Sequence, residues 1–241
     1  MHEETDRPAP PRAAAVVLAA GTGSRVGAEV NKVLLPLAGL SVLARTVRTV
    51  LEVDGIHRVV LVVRPEERDA VAEAVAPHLG VRDLWVVDGG DRRHDSEWQA
   101  LRALAGDIDD GEIEVVAIHD AARPLAPATL WRAVLDAAAE HGAAIPVVPT
   151  PRLSHRDGRR TVRPLLGVQT PQAFRAGPLL AAHREADREG WAGTDTAACL
   201  ERYSDLPVVA VPSTSTNLKV TFPEDVALAE ALLSRAVRPP R

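Results

Sequence analysis

The chain has 241 residues, of which 46% are hydrophobic and 25% charged, with a formal net charge of −5. That length allows one large domain with a real core, and the mild negative balance gives no electrostatic reason to expect a nucleic-acid partner. No apolar run approaches the ~20 residues of a membrane span; Cys199 stands alone, which rules out an internal disulfide and fits a reducing cytoplasm.

The Pro-rich start, within residues 1–12, reads as a disordered tail ahead of a single domain over 13–235. Ala13 to Ala20 is an apolar run of the length and bulk of a buried strand, broken by Gly21 and Gly23. Val33–Leu40, with Pro36 and Gly39, is a loop or short strand. Ser41 can cap a helix with Leu43, Val47, Val50 and Leu51 on one face, ended by Gly55. Val59–Val63 is a second strand, Glu66–Leu79 a helix closed by Gly80, and Leu84–Val87 a third strand. Residues 94–105 are helical, Ile113–His119 is a fourth strand, Thr129–His141 a helix stopped by Gly142, and Ala144–Val148 a fifth strand. This alternation predicts an α/β fold, Rossmann-like and doubly wound, on a mostly parallel sheet.

Beyond Val148 the pattern changes. Arg152–Val162 is polar around Asp157-Gly158, a hairpin-turn pair, and predicts a projecting β-arm over about 151–164. Leu166–Gln169 re-enters the sheet, Pro171 starts a helical stretch to about Glu189, and Thr194–Tyr203 is a short helix. Val208–Val211 and Asn217–Val220 read as strands, and Thr221 to Glu224 as a capping box for a last helix carrying Val226, Leu228, Ala229 and Leu232.

Open α/β sheets bind ligands beyond the carboxyl ends of their strands, so those ends hold the candidates. The first runs into Ala19-Ala20-Gly21-Thr22-Gly23-Ser24-Arg25, with Lys32 following. Glycines let backbone N–H groups close on an anion, and the two cations lie within reach of it; the alternative is a plain turn with solvated charges. The spacing matches neither the dinucleotide Gly-x-Gly-x-x-Gly nor a Walker loop. The third strand ends in Asp88-Gly89-Gly90, with Ser96 placed for a base edge or hydroxyl; the alternative is a turn and helix cap. The fourth ends in His119-Asp120-Ala121-Ala122-Arg123-Pro124. Asp120 suits a Mg²⁺ ion or a ribose hydroxyl and Arg123 a phosphate, unless the two merely brace a loop. His119 reads as packing. Lys219, between Leu218 and Val220, lies at an edge or points into a site. No nucleophile–base–acid triad is present, and Cys199 sits in a helix without a partner.

The loop at 19–25 with Lys32 resembles the signature of sugar-nucleotide and polyol-phosphate nucleotidyltransferases. Asp-Gly-Gly-Asp-x-Arg, His-Asp-Ala-Ala-Arg-Pro, Gln-Thr-Pro-Gln and Asn-Leu-Lys-Val-Thr-x-Pro-Glu-Asp follow it in fixed order. Together they are similar to the 2-C-methyl-D-erythritol 4-phosphate cytidylyltransferase family, from about residue 14 to 233. The resemblance implies a cytoplasmic, Mg²⁺-dependent homodimer joined by its arm, transferring CMP from CTP to a polyol phosphate in isoprenoid precursor synthesis. It implies that Arg25 and Lys32 stabilise charge on the α-phosphate and that Lys219 positions the acceptor phosphate. Thr150, Thr170 and Thr194 would lie near that phosphate, Asp120 and Arg123 on the acceptor hydroxyls, and Asp88, Gly89, Gly90 and Ser96 at the cytosine. The acceptor phosphate is already a competent nucleophile at neutral pH, so alignment and charge shielding suffice without a general base.

Three places depart from the family pattern: Thr161–Gly167 in the arm, Pro149-Thr150, and Thr196, where a glutamate is usual. All lie on the acceptor side. The family's arm arginine falls on Val162, which leaves Arg163 or Arg152 to reach the partner's acceptor phosphate. The alternatives are a sister enzyme for ribitol 5-phosphate or another polyol phosphate, and a non-catalytic nucleotide-binding relative.

Overall fold

In a computed structural model of the chain, which describes residues 9–21, 31–150 and 165–236, the run Ala13–Leu18 forms β1, an interior strand of an eight-stranded sheet. Because successive side chains on a strand point to opposite faces, β1 feeds two cores. Ala13, Ala15 and Val17 pack with α1 (Val42–Leu51), α2 (Arg68–Val75) and α4 (Ala128–His141). Ala14 and Val16 pack with α3 (Arg93–Asp109), α5 (Ala176–Glu189) and α6 (Thr196–Tyr203). The result is three layers, helices on both faces of one sheet.

The sheet is mostly parallel, as the alternation predicts. β1 lies between β4 (Ile56–Val63) and β6 (Val115–Asp120), and β5 (Trp85–Asp88) adds to β4. β7 (Ala143–Pro149) pairs in parallel with β10 (Val208–Pro212). Two short strands run the other way: β8 (Leu166–Val168) on β7, and β9 (Gln172–Arg175) wedged between β6 and β7. A small hairpin of β2 (Pro36–Leu37) and β3 (Leu40–Ser41) packs with α7 (Pro223–Ala236), giving a satellite core of Leu37, Val42, Val220 and Ala229.

Several elements differ from expectation. The helix read over Glu66–Leu79 is α-helical only over Arg68–Val75, with a 3-10 turn on either side. Pro77 lacks the N–H that would continue the ladder, so the α-helix ends before it. The stretch after Pro171 is first a strand. Gln172–Arg175 completes the ladder between β6 and β7, and the helix starts only at Ala176, with Pro178 in its first turn where an N–H is unpaired anyway. Asn217–Val220 is not a strand: it is extended chain held by separate bonds, among them Val220 N–H to the Ala122 carbonyl at 2.8 Å. At the start of α7, Asp225 rather than Glu224 reaches back, accepting from the N–H groups of Thr221 and Phe222 at 2.7 and 2.8 Å. Ser41 does cap α1, accepting from Ala44 N–H at 3.0 Å. Most of the N-terminal tail and the arm at 151–164 lie outside the described residues. Among the described residues, no helix is long and apolar enough to cross a membrane.

Candidate active site

Chain order reverses beside β1: β4 and β5 extend the sheet to one side, and β6 then begins the other. Beyond the carboxyl ends of these four strands lies a cavity of about 560 Å³, the place where open sheets bind ligands. Its walls bring together Ala19, Ala20, Gly21, Lys32, Gly89, Gly90, Ser96, Asp120 and Lys219 from the sequence-level candidates. Thr22, Gly23, Ser24 and Arg25 lie outside the described residues, as do Arg152 and Arg163.

The backbone at the mouth leaves no room for larger residues. A Cβ on Gly89 would stand 2.4 Å from the Ala20 Cβ, and one on Gly90 2.4 Å from the Asp95 Cβ. Ser96 Oγ accepts from Gly90 N–H at 3.1 Å and so fixes the glycine turn. It is not the cap of α3. That position is Arg92, whose N–H donates to Asp95 at 3.0 Å. Lys32 opens a short 3-10 turn capped by the buried Asn31, whose amide donates to Ala19 O at 3.0 Å and to Glu67 Oε2 at 2.7 Å. This strut sets the base of Lys32 beside the root of the glycine loop.

Asp120 is the electrostatic centre. Its side chain is 10% exposed; Oδ2 accepts from Lys219 Nζ at 2.6 Å and Oδ1 from Arg93 Nη1. Burial alone would raise this carboxyl, but Arg93 and Lys219 outweigh it and hold it well below the usual carboxylate range. Behind it, Asp120 N–H donates to Thr170 Oγ1 at 3.0 Å, and that hydroxyl meets His119 Nδ1 at 3.1 Å. His119 Nε2 meets the Arg123 carbonyl at 3.1 Å, which accepts only, so the hydroxyl proton goes to Nδ1. Burial lowers His119 to about 4, so the ring is neutral, and it packs on Trp131 as the packing reading requires.

Five candidates take other places. Arg123 does not face the cavity: its guanidinium donates to Asn217 O at 2.7 Å, bracing the 217–220 segment. Asp88 points away on the sheet edge and accepts from Arg68 Nε at 2.8 Å. Thr150 donates to Leu165 O at 2.7 Å, at the root of the arm, and Thr194 is exposed ahead of α6. Thr170 supports Asp120 from behind. Cys199 does have a neighbour, His183 Nδ1 at 3.8 Å.

Three cations escaped the sequence reading; one of them, Arg92, lines the cavity and pairs with Asp95 at 2.7 Å. Arg64, directly after β4, lines the cavity and pairs with Glu67, and with Glu66 at 3.5 Å. Arg93 lines it from the first residue of α3. Questioning every strand end would have found Arg64. Arg93 lay in the Asp-Gly-Gly-Asp-x-Arg motif itself, but nothing in its spacing assigned it a task.

Among the described residues, five cations (Lys32, Arg64, Arg92, Arg93 and Lys219) and three carboxylates (Glu66, Asp91 and Asp120) line a glycine-walled cleft, and the excess of cations suits a polyanion. Residues 13–235 match the family of 2-C-methyl-D-erythritol 4-phosphate cytidylyltransferases. The chain belongs to that family. It is 41% identical to the enzyme of that name from Pelotomaculum thermopropionicum, over 92% of this chain and 94% of the relative. It is also 41% identical to the one from Frankia casuarinae, over 94% and 83%. Among solved structures, the 4-diphosphocytidyl-2C-methyl-D-erythritol synthase of Anaerococcus prevotii superposes with a TM-score of 0.78 at 26% identity, covering 93% of this chain and 97% of that one.

Proposed function

We infer that the cavity at the ends of β1, β4, β5 and β6 is where this cytidylyltransferase transfers CMP from CTP to 2-C-methyl-D-erythritol 4-phosphate, releasing pyrophosphate. The observation that carries the assignment is the convergence of the Ala19–Gly21 loop root, Lys32, the Gly89-Gly90 turn and the Asp120–Lys219 pair on one cleft.

The division of labour follows from position. Gly89, Gly90 and Ser96 form a tight polar wall suited to the flat base. Lys32, on the cavity wall, would stabilise charge that grows on the α-phosphate as the acceptor oxygen attacks, with Arg25 assigned the same task from the family pattern alone. Lys219, 41% exposed, can turn one N–H to Asp120 and the others to an acceptor phosphate. No group needs to remove a proton, since the attacking oxygen belongs to a phosphate already ionised at neutral pH.

A magnesium ion fits this site as a companion of the triphosphate. The walls are cationic, and both Asp120 oxygens already accept from cations, so the protein alone offers no dedicated cage. Mg²⁺ keeps waters and takes one or two carboxylates plus phosphate oxygens. Asp120, with lone pairs to spare, is the residue that would contact it, and the ion would neutralise phosphate charge. Dimerisation through the 151–164 arm, with Arg163 or Arg152 reaching the partner's acceptor phosphate, completes the reading.

The test is pyrophosphate release with CTP, UTP, ATP and GTP against methylerythritol phosphate and ribitol 5-phosphate, with and without EDTA. CTP with methylerythritol phosphate should be fastest, and EDTA should abolish turnover. A faster rate with ribitol phosphate, or full activity in EDTA, overturns the corresponding part. Arg163→Ala and Arg152→Ala should raise the acceptor KM if the arm acts across a dimer; an active monomer rules that out.

A further inference from the structure

Behind the cavity wall lies a buried polar cluster with no assigned part in the reaction. Glu97, fully buried on α3, sits between Arg93, Thr196 and His183. Its Oε1 accepts from Thr196 Oγ1 at 2.8 Å and lies 2.8 Å from Arg93 Nε, an ion-pair contact whose angle falls short of a hydrogen bond. Its Oε2 has no hydrogen-bond partner among the described residues and faces His183 Nε2 at 3.6 Å. His94 and Cys199 flank His183, and the three present metal-ligating atoms within 4.8 Å of one another. A metal is nevertheless disfavoured by the ring geometry. The His94 and His183 rings stack within 9° of parallel, so no nearby point lies in both ring planes, where the lone pairs are directed. His183 Nδ1 is also within 3.1 Å of the Leu179 carbonyl, which it can satisfy only as a donor.

What the cluster does have is a continuous line of charge into the active site. His183 faces Glu97, Glu97 holds one edge of Arg93, Arg93 holds Asp120, and Asp120 holds Lys219. Arg93 is the first residue of α3, where a cation opposes the helix dipole, so its place there depends on these two carboxylates. We propose that Glu97, braced by Thr196 and His183, is a positioning residue: by anchoring Arg93 from behind, it limits the guanidinium's claim on Asp120 and leaves that carboxylate able to orient Lys219. The proposal rests on the assignment of Lys219 to the acceptor phosphate. It also gives a role to Thr196, one of the three departures from the family pattern: its hydroxyl is one of the two contacts on Glu97 Oε1.

Three variants test it: Glu97→Gln, which keeps size and loses charge; Arg93→Lys, which keeps charge and cannot bridge two carboxylates; and Thr196→Val, which removes one hydrogen bond and leaves every charge in place. Glu97→Gln and Arg93→Lys should each lower kcat/KM for the acceptor about tenfold, inside the range for residues of one ion-pair network, and Glu97→Gln, which lies behind the wall, should leave the CTP KM within about twofold. Their double variant should be little worse than the worse single one. Thr196→Val should move the acceptor KM in the same direction by about two- to threefold, and it carries the test if Glu97→Gln does not fold. A second readout needs no turnover: with Arg93 drawn wholly to Asp120, the Lys219 amine is freed and should acylate several times faster at pH 8, read by mass spectrometry. Unchanged acceptor KM and unchanged Lys219 acylation in folded variants overturn the proposal. So do effects that strike both substrates alike and track thermal stability, or that add in the double variant. Failure of the wild type to use the acceptor would instead overturn the functional reading, and the Lys219 measurement would still decide this one.

Discussion

Asp120→Asn isolates the electrostatic core of the site in one nearly isosteric change. The carboxylate is 10% exposed and paired with Arg93 and Lys219, whose side chains are 28% and 41% exposed. Removing one partner of a buried ion pair typically costs about 3–5 kcal/mol. Here the cost is smaller, because Lys219 can regain water and Arg93 keeps Glu97, so about 2 kcal/mol is expected. For a chain of this size that lowers Tm by about 4–8 °C. The pH dependence has a definite sign. The folded-state pKa of Asp120 is depressed, so its contribution is complete above the unfolded value of about 3.9 and is lost as pH falls through the folded value. Calorimetry at stepped pH should therefore show a constant gap between wild type and variant from pH 7 to about 5, closing only below about pH 4. Added salt should narrow the gap at pH 7, since it screens the two cations left facing each other. Equal Tm values at pH 7, or a gap that persists undiminished in acid, would show that the carboxylate is not the counter-charge of both cations.

Lys32→Ala should lower kcat with little change in CTP binding, by about 3–4 kcal/mol of lost transition-state stabilisation, roughly 100- to 1000-fold; a near-normal kcat would make it a surface charge. Gly89→Ala should weaken CTP binding before it affects the acceptor, because the added Cβ would overlap Ala20 at 2.4 Å on the nucleotide wall; calorimetric titration of CTP checks this, and an unchanged affinity would place the base elsewhere. Burial opposes the charge on His183, but the Cys199 sulfur and the Glu97 carboxylate outweigh it and raise the imidazole to about 9. A raised pKa gives stability that is complete below the unfolded value of about 6.5 and is lost as pH climbs through the folded one. Wild-type stability should thus fall between about pH 6.5 and 9 more steeply than that of His183→Gln, and parallel curves would remove the charged imidazole from the account.

The parts legible in the sequence were those that local rules enforce. The apolar run before Gly21, the alternation of strands and helices up to Val148, and the Gly89-Gly90 turn each reflect a constraint a few residues long. Gln172–Arg175 was not legible, because a proline followed by four mixed residues looks the same at the start of a helix as at the start of a strand. The decision is made by β6 and β7, which leave a slot with unpaired edges on both sides. Asn217–Val220 misled for a related reason. Its apolar alternation is real, but the segment is held by isolated bonds, such as the Asn217 amide to the Thr170 carbonyl at 3.0 Å and Val220 N–H to the Ala122 carbonyl at 2.8 Å, and not by the ladder of a neighbouring strand.

The same difficulty separates Arg123 from Arg93. Both are arginines next to a glycine- or alanine-rich turn at the end of a parallel strand, and both suit phosphate by chemistry alone. Their tasks are divided by what stands opposite. Arg123 meets the carbonyl of Asn217, an acceptor with no net charge, and that contact closes the loop. Arg93 meets two carboxylates, one facing the cavity and one sealed in the core, so its charge is held in place without being neutralised from the substrate side alone. A site that must align two polyanions needs cations fixed before the substrates arrive, because the repulsion between the phosphates opposes any late adjustment. Buried counter-ions such as Glu97 and Asp120 meet that need. They hold Arg93 and Lys219 in the free enzyme, with both side chains still reaching the cleft.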